Sequence, residues 1–326
     1  MSQEELGGAH ARQYRHALEP KSLEPRLLAL AEGAATAAFT ALQMKEALGK
    51  GLEDAATLMR AVPIQEGNLL ERGIVLLAAS NPDMLALTEN LRLPVTPAAL
   101  ELVGLNDERL YRRLTLDADR GGRKGYTPDM ILVHRSKRLA HVVDIKRTLG
   151  SYETTRIADL KSRMLASSLV VPDLLYKEHR RIAVDEVRAV IVTADSQKTD
   201  IDNGIWPLAH LDHLLELDGA GLAIEWLRQQ FAIAVERNWR HAVKQLAAMD
   251  QGRETSRALQ RTAKAFASSK TAMEEDDADD TVGISFSGMT SARSKFGSDA
   301  SSRASDAAPP PLRIGFARPP VSPVVA

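Results

Sequence analysis

No cysteine occurs among the 326 residues. Disulfides and thiolate-bound metals are therefore excluded, and a reducing, cytoplasmic setting is expected. Aromatic residues make up only 4% of the chain, so the ring platforms on which single strands stack are not evident. No apolar run reads as long enough to span a membrane, and the opening MSQEELGGAHARQYRHALEP lacks the apolar centre of a signal peptide. The G-x-x-x-x-G-K-[ST] phosphate loop and the H-E-x-x-H zinc pattern are both missing. The formal net charge is −1, so no single-signed field dominates and the distribution of charge has to be read locally.

What remains is an ordinary globular composition, 44% hydrophobic and 26% charged, long enough for one large or two modest domains. The most informative stretch is YTPDMILVHRSKRLAHVVDIKR, Tyr126 to Arg147. It reads as two strands, Pro128–His134 and Leu139–Lys146, joined by the polar turn Arg135–Arg138. If His134 pairs with Leu139, counting outward sets Asp129 opposite Asp144, with Cβ atoms roughly 4.5–5.5 Å apart. Two carboxylates so close repel, and a hard divalent cation such as Mg2+ turns that repulsion into a site. Lys146, two residues beyond Asp144, shares its face. The other reading of these residues is an ordinary charged hairpin on the surface.

The surroundings favour a polyanion. From Asp107 to Arg147 there are eleven Lys or Arg against six Asp or Glu. Arg123 and Lys124 lie in the Gly-rich turn RGGRKG just before the hairpin and Arg147 just after it, so all three are candidate phosphate contacts. Glu71 borders the apolar stripe Leu70, Ile74, Leu77 of a helix expected over Pro63–Ala79. It is the candidate third acid, with Glu66, one turn ahead of Leu70, its competitor.

Pro128-Asp129 followed by Asp144-Ile145-Lys146 resembles the signature of the PD-(D/E)xK, restriction-endonuclease-like nuclease superfamily. The order Glu71, Pro82, strands, Asp129 is similar to the endonuclease subunits of some heteromeric transposases; nuclease-fold relaxases of plasmid mobilisation are the other relatives implied. The resemblance implies an α/β fold whose core is a mixed central sheet flanked by helices. It implies an Mg2+- or Mn2+-dependent DNA endonuclease in which Asp129, Asp144 and Glu71 hold the metal and Lys146 positions or deprotonates the attacking water. A Lys146 pKa lowered by burial suits that last role. Covalent attack by Tyr126 or Tyr152, which flank the motif, is a further option. A non-catalytic DNA-binding or assembly module on the same fold is the reading from another class.

The rest of the chain divides into a helical region over 1–60, the nuclease-like core over 61–204, a helical region over 205–267 and a disordered tail over 268–326. One long or two short helices are expected over Leu23–Leu58, a first strand within Leu85–Leu93, and a helix or strand over Asn106–Leu116. One helix from Thr155 to about Leu175, a buried strand over Arg188–Ala194 and helices opened by Trp206-Pro207 follow. His210 and His213 share a helical face, which suits ordinary helix histidines better than metal ligands. The tail is rich in Ser, Ala, Asp and Pro, and its acidic run Glu274–Asp280 offsets the basic hairpin. Arg313–Arg318 reads as a short linear motif, and the tail is similar in character to the secretion signals of type IV secretion cargo. DNA, a second copy of the chain and that secretion apparatus are the expected partners, and no membrane.

Overall fold

The Ala- and Leu-rich N-terminal stretch forms three helices where the sequence suggests one or two. In this computed structural model, which describes residues 13–106, 111, 114–118, 125–179, 181–267 and 313–320 (250–267 by backbone alone), they are α1 Pro20–Ala38, α2 Ala41–Lys50 and α3 Leu52–Met59. Thr40 separates the first two. Its hydroxyl accepts from the Gln43 N–H while the Gln43 side chain accepts from the Thr40 N–H, a reciprocal cap. Gly51 separates the next pair at φ 143°, a conformation that residues with a Cβ rarely adopt. Against expectation, Pro20–Lys50 holds an 18-residue window apolar enough by composition to cross a membrane, with a mean hydropathy of 1.3. In the fold it is broken at Thr40, and α1 turns Leu23, Leu27, Ala31 and Ala35 into the core.

The fourth helix, α4, runs Ala61–Ala78 and buries Leu70, Ile74 and Leu77, the expected stripe. Gly73 allows the close approach of the last helix: a Cβ there would lie 2.5 Å from the Leu227 side chain and 2.6 Å from that of Ile224. Asn81 closes α4 by donating from Nδ2 to the Leu215 carbonyl (2.8 Å) and accepting from the Asp83 N–H (3.0 Å).

A six-stranded mixed sheet follows: β1 Met84–Leu87, β2 Met130–His134, β3 Leu139–Lys146, β4 Glu186–Thr193, β5 Ile205–Pro207 and β6 Arg313–Phe316. β1, β2 and β3 are antiparallel neighbours, and β4 joins β3 in parallel. That parallel step needs a crossover. It is supplied by α6 Thr154–Ser168 and α7 Val171–Glu178, which follow α5 Pro97–Leu105 in the chain. One helix was expected there; the break comes at Leu169–Val170, with Pro172 in the first turn of α7. The free edge of β4 is shared in series by β6, against Glu186–Ala189, and β5, against Ile191–Thr193.

Period-two alternation sorts the strand residues into two cores. Met130, Leu132, Val143, Ile145, Val190 and Val192 meet α1, α4 and the last helix, α9 Ala220–Ala267. Ile131, Val133, Val142, Ala189 and Ile191 meet α6 and α7. The two terminal helical regions therefore share the core of the sheet. The sheet, both cores and the site lie in one compact unit, Met1–Leu246 with Pro310–Ala326; the other unit is Ala247–Pro309.

Two expectations near the C-terminus need correction. Trp206-Pro207 is the end of a strand before it is the start of a helix. Ile205 and Trp206 are buried and pair with β4, and Pro207 then caps a 3-10 turn, Leu208–His210, that runs into α8 Leu211–Leu215. Most of the supposed disordered tail, 268–312 and 321–326, lies outside the described residues. Arg313–Phe316, however, is the strand β6. Ile314 is buried, the Ala317 N–H donates to the Ala189 carbonyl (2.9 Å), and Trp206 Nε1 donates to the Ala317 carbonyl (3.2 Å). The unsatisfied edge of β4 gives these residues the hydrogen bonds they lack in isolation. Residues 107–110, 112–113 and 119–124, which hold most of the Asn106–Leu116 segment and of the Gly-rich turn, also lie outside the described residues.

Candidate functional site

The hairpin keeps the expected register from His134↔Leu139 to Met130↔Val143. Asp129 departs from it. Its N–H bonds the Val143 carbonyl (3.1 Å), so Asp129 and Met130 both face Val143, the two-against-one pattern of a β-bulge. The Asp129 side chain closes the irregularity, Oδ2 accepting from the Ile145 N–H at 2.5 Å. Simple counting puts Asp129 square across from Asp144; the bulge re-aims it toward the backbone of β3 while keeping it beside Asp144.

Asp144 is the buried centre of the group, 4% exposed. The Tyr126 hydroxyl donates to its Oδ2 at 2.6 Å, and the Lys146 ammonium lies in ion-pair contact with its Oδ1. Burial followed by the charge of Asp144 pushes the Asp129 carboxyl above its usual range, against the Ile145 N–H and Lys146, which pull it down. Burial acts to lower the Lys146 pKa, but Asp144 and Asp129 outweigh it and the amine is held above its ordinary value. The expectation of a lysine brought down toward neutrality is thus reversed, because two carboxylates surround the amine. Tyr126 is buried too. Burial first, then Asp144, pushes its phenol up, so it is a hydrogen-bond donor here and a poor nucleophile. The Tyr152 ring instead lies under the Arg156 guanidinium, 4.8 Å from its centroid.

Glu71 comes from α4, which packs on the face of Val143 and Ile145, whereas strand alternation points Asp144 and Lys146 to the other. It still feels the group. Burial and then Asp129 raise its pKa, Lys146 lowers it, and Asp144 adds a smaller push upward. Glu66 is engaged elsewhere: Arg228 donates to its Oε1 from Nε (3.0 Å) and Nη2 (2.8 Å), and from Nη1 to the Ala194 carbonyl (2.9 Å). Of the two glutamates, Glu71 is the one coupled to the aspartates.

Asp195, at the end of β4, is a contributor that the sequence reading missed. It accepts from the Thr148 and Thr193 hydroxyls and from the Gln197 N–H (3.0 Å). Burial opposes its ionisation, but these bonds hold its pKa below the usual range. The clamp ties the chain after Lys146 to the end of the neighbouring strand, where the Ala194 N–H also bonds the Lys146 carbonyl (3.0 Å). Its sequence signal was a polar Asp-Ser closing a buried strand, and such carboxyl ends are where ligands sit in parallel sheets. Arg147 is exposed beside the group; Arg123 and Lys124 lie outside the described residues. His213 Nδ1 meets the Tyr14 hydroxyl and Asp212 accepts from the Gly219 and Gly221 N–H groups, so this second cluster is engaged in pinning the chain.

Among the described residues, no group of three or more His, Asp or Glu side chains is placed to hold a metal ion. The donor set still fits a hard cation. Mg2+ is commonly bound through one or two carboxylates with water and substrate phosphate completing its shell. Asp129 and Asp144 are such a pair, buried and mutually repelling, with the Lys146 ammonium on Asp144 Oδ1. In comparisons with known proteins, no family model, curated protein or solved structure matches this chain.

Proposed function

We propose that this protein is a metal-dependent nuclease that hydrolyses phosphodiester bonds in DNA. The observation that carries the reading is the grouping of Asp129, Asp144 and Lys146 at one end of the hairpin, with Asp144 buried and its Oδ1 against the Lys146 ammonium. The chain order α4, β1, the hairpin β2–β3, the crossover α6–α7, then β4 in parallel supports a restriction-endonuclease-like core. Asp129 and Asp144 are the residues that would hold Mg2+ or Mn2+, with Glu71 adding a third negative charge. Such an ion supplies Lewis-acid polarisation of a phosphoryl oxygen and a lowered pKa for a bound water. Tyr126 and the Ile145 N–H fix the two carboxylates in place. Lys146, kept as an ammonium, orients water and neutralises charge developing on the phosphate; it is not the base.

A second reading, a non-catalytic DNA-binding or assembly module, is favoured by one contact: Lys146 already neutralises Asp144 without a cation. Incubation of the full chain with supercoiled and linear DNA in Mg2+, Mn2+ or EDTA separates the two. The nuclease reading expects metal-dependent cleavage that Asp144→Ala and Lys146→Ala abolish while DNA binding persists. DNA binding with no cleavage in any metal, unchanged in both variants, would establish the module instead.

A further inference from the structure

A groove of about 750 Å³ lies between α1 and α4. Its walls include Arg26 and Leu30 from α1, Glu71, Arg72 and Leu76 from α4, and Thr88 just beyond β1. Two observations connect it to the carboxylates. Glu71 lines it and is coupled to Asp129. Leu87 pairs with Ile131, so Thr88 stands at the same end of the sheet as Asp129.

Charge and polarity together select what the groove can take. Arg26 and Arg72 are exposed, and among the described residues neither makes a hydrogen bond or ion pair. Two unpaired guanidiniums on one groove suit phosphates, which they bind in bidentate fashion. Between them the surface is aliphatic, with Leu30 and Leu76 only partly covered. The outside of a duplex, all phosphate and sugar, gains little from such a floor. An unpaired strand exposes base faces and sugars that cover it, here by aliphatic contact in place of the aromatic stacking that this chain lacks. Lys146 acts against the negative charge that Glu71, Asp129 and Asp144 bring to this end of the groove.

We propose that this groove holds an unpaired segment of the DNA strand that leads to the carboxylates, its phosphates on Arg26 and Arg72. The proposal rests on the nuclease reading and names the form of substrate: DNA with a single-stranded stretch beside the cleavage point.

The test is fluorescence anisotropy of the full chain with a labelled single strand and the matching duplex, in Ca2+, at several salt concentrations. Arg26→Gln, Arg72→Gln and the double variant are compared with wild type, and thermal unfolding checks that these exposed substitutions leave the fold intact. Wild type is expected to prefer the single strand. The double variant should lose about tenfold or more of that affinity, and each arginine removed should reduce the salt slope by roughly 0.7. In Mg2+ the double variant should show a raised KM with kcat little changed. Single-strand binding unaltered in the double variant, or equal affinity for the duplex, overturns the groove assignment while wild-type cleavage leaves the nuclease reading standing. Wild type that neither binds nor cleaves either DNA overturns both.

Discussion

The Tyr126 hydroxyl donates to Asp144 Oδ2 across 2.6 Å, joining the residues just before the hairpin to its second strand. A partner of this kind fixes how a carboxylate presents its remaining oxygen, and loss of such partners typically costs about 10–100-fold in metal affinity or activity. Tyr126→Phe should therefore weaken Mn2+ binding and slow cleavage by that order. It should also cost about 1–3 kcal/mol of stability by leaving a buried oxygen without its donor. Calorimetric Mn2+ titration beside urea unfolding measures both; unchanged metal affinity would show that Tyr126 serves packing alone.

Glu66 and Glu71 should separate cleanly. Glu71→Gln touches no hydrogen bond among the described residues and should shift stability by no more than about 0.5 kcal/mol while lowering cleavage. Glu66→Gln weakens the link from Arg228 to α4 and the end of β4, so it should lower the unfolding midpoint with a smaller effect on kcat. Paired denaturation curves and single-turnover rates decide it. The opposite pattern would make Glu66 the working acid.

His141 gives a pH dependence remote from the carboxylates. It lies in β3 between Leu132 and Arg188, buried, with no hydrogen-bond partner for Nδ1 among the described residues. Burial first, then Arg188, His134 and Lys137, pushes its pKa down to about 3. Between its ordinary value near 6.5 and that lower value, the unfolded chain takes up a proton that the folded chain does not. Stability should therefore fall as pH drops through this window, by up to about 1.4 kcal/mol per pH unit. Urea midpoints at pH 7, 6 and 5 should decline less steeply in His141→Leu than in wild type. Parallel declines would mean that His141 takes up its proton in the folded state.

Removal of residues 310–326 should expose the outer edge of β4. Ile314 is fully buried in β6, and burial of such a side chain is worth about 1.5–3 kcal/mol. The truncated chain should unfold at lower urea yet keep its metal affinity, because β4 stands between β6 and the strand that carries Asp144 and Lys146. Unchanged stability would mean that β6 adds nothing to the sheet.

Much of this arrangement was legible because it is local. The aliphatic runs of β2 and β3 and the four-residue turn fix the register, and the stripe of α4 fixes which side of that helix is buried. What escaped depends on partners far along the chain. The bulge at Asp129 exists because its own carboxylate bonds the Ile145 N–H in place of a regular ladder step. The choice between Glu66 and Glu71 turned on Arg228, which no spacing in α4 reveals. β5 and β6 are short segments that become strands only against the edge of β4. The raised Lys146 pKa follows from two carboxylates around one amine, where burial alone pointed the other way.

The most direct test of the account is Mn2+ binding followed by electron paramagnetic resonance in wild type, Asp129→Asn, Asp144→Asn and Lys146→Met. The account predicts saturable binding in wild type, lost or strongly weakened in both aspartate variants and retained in Lys146→Met, which is nevertheless inactive on DNA. Binding that survives in Asp144→Asn, or no binding in wild type, would contradict it.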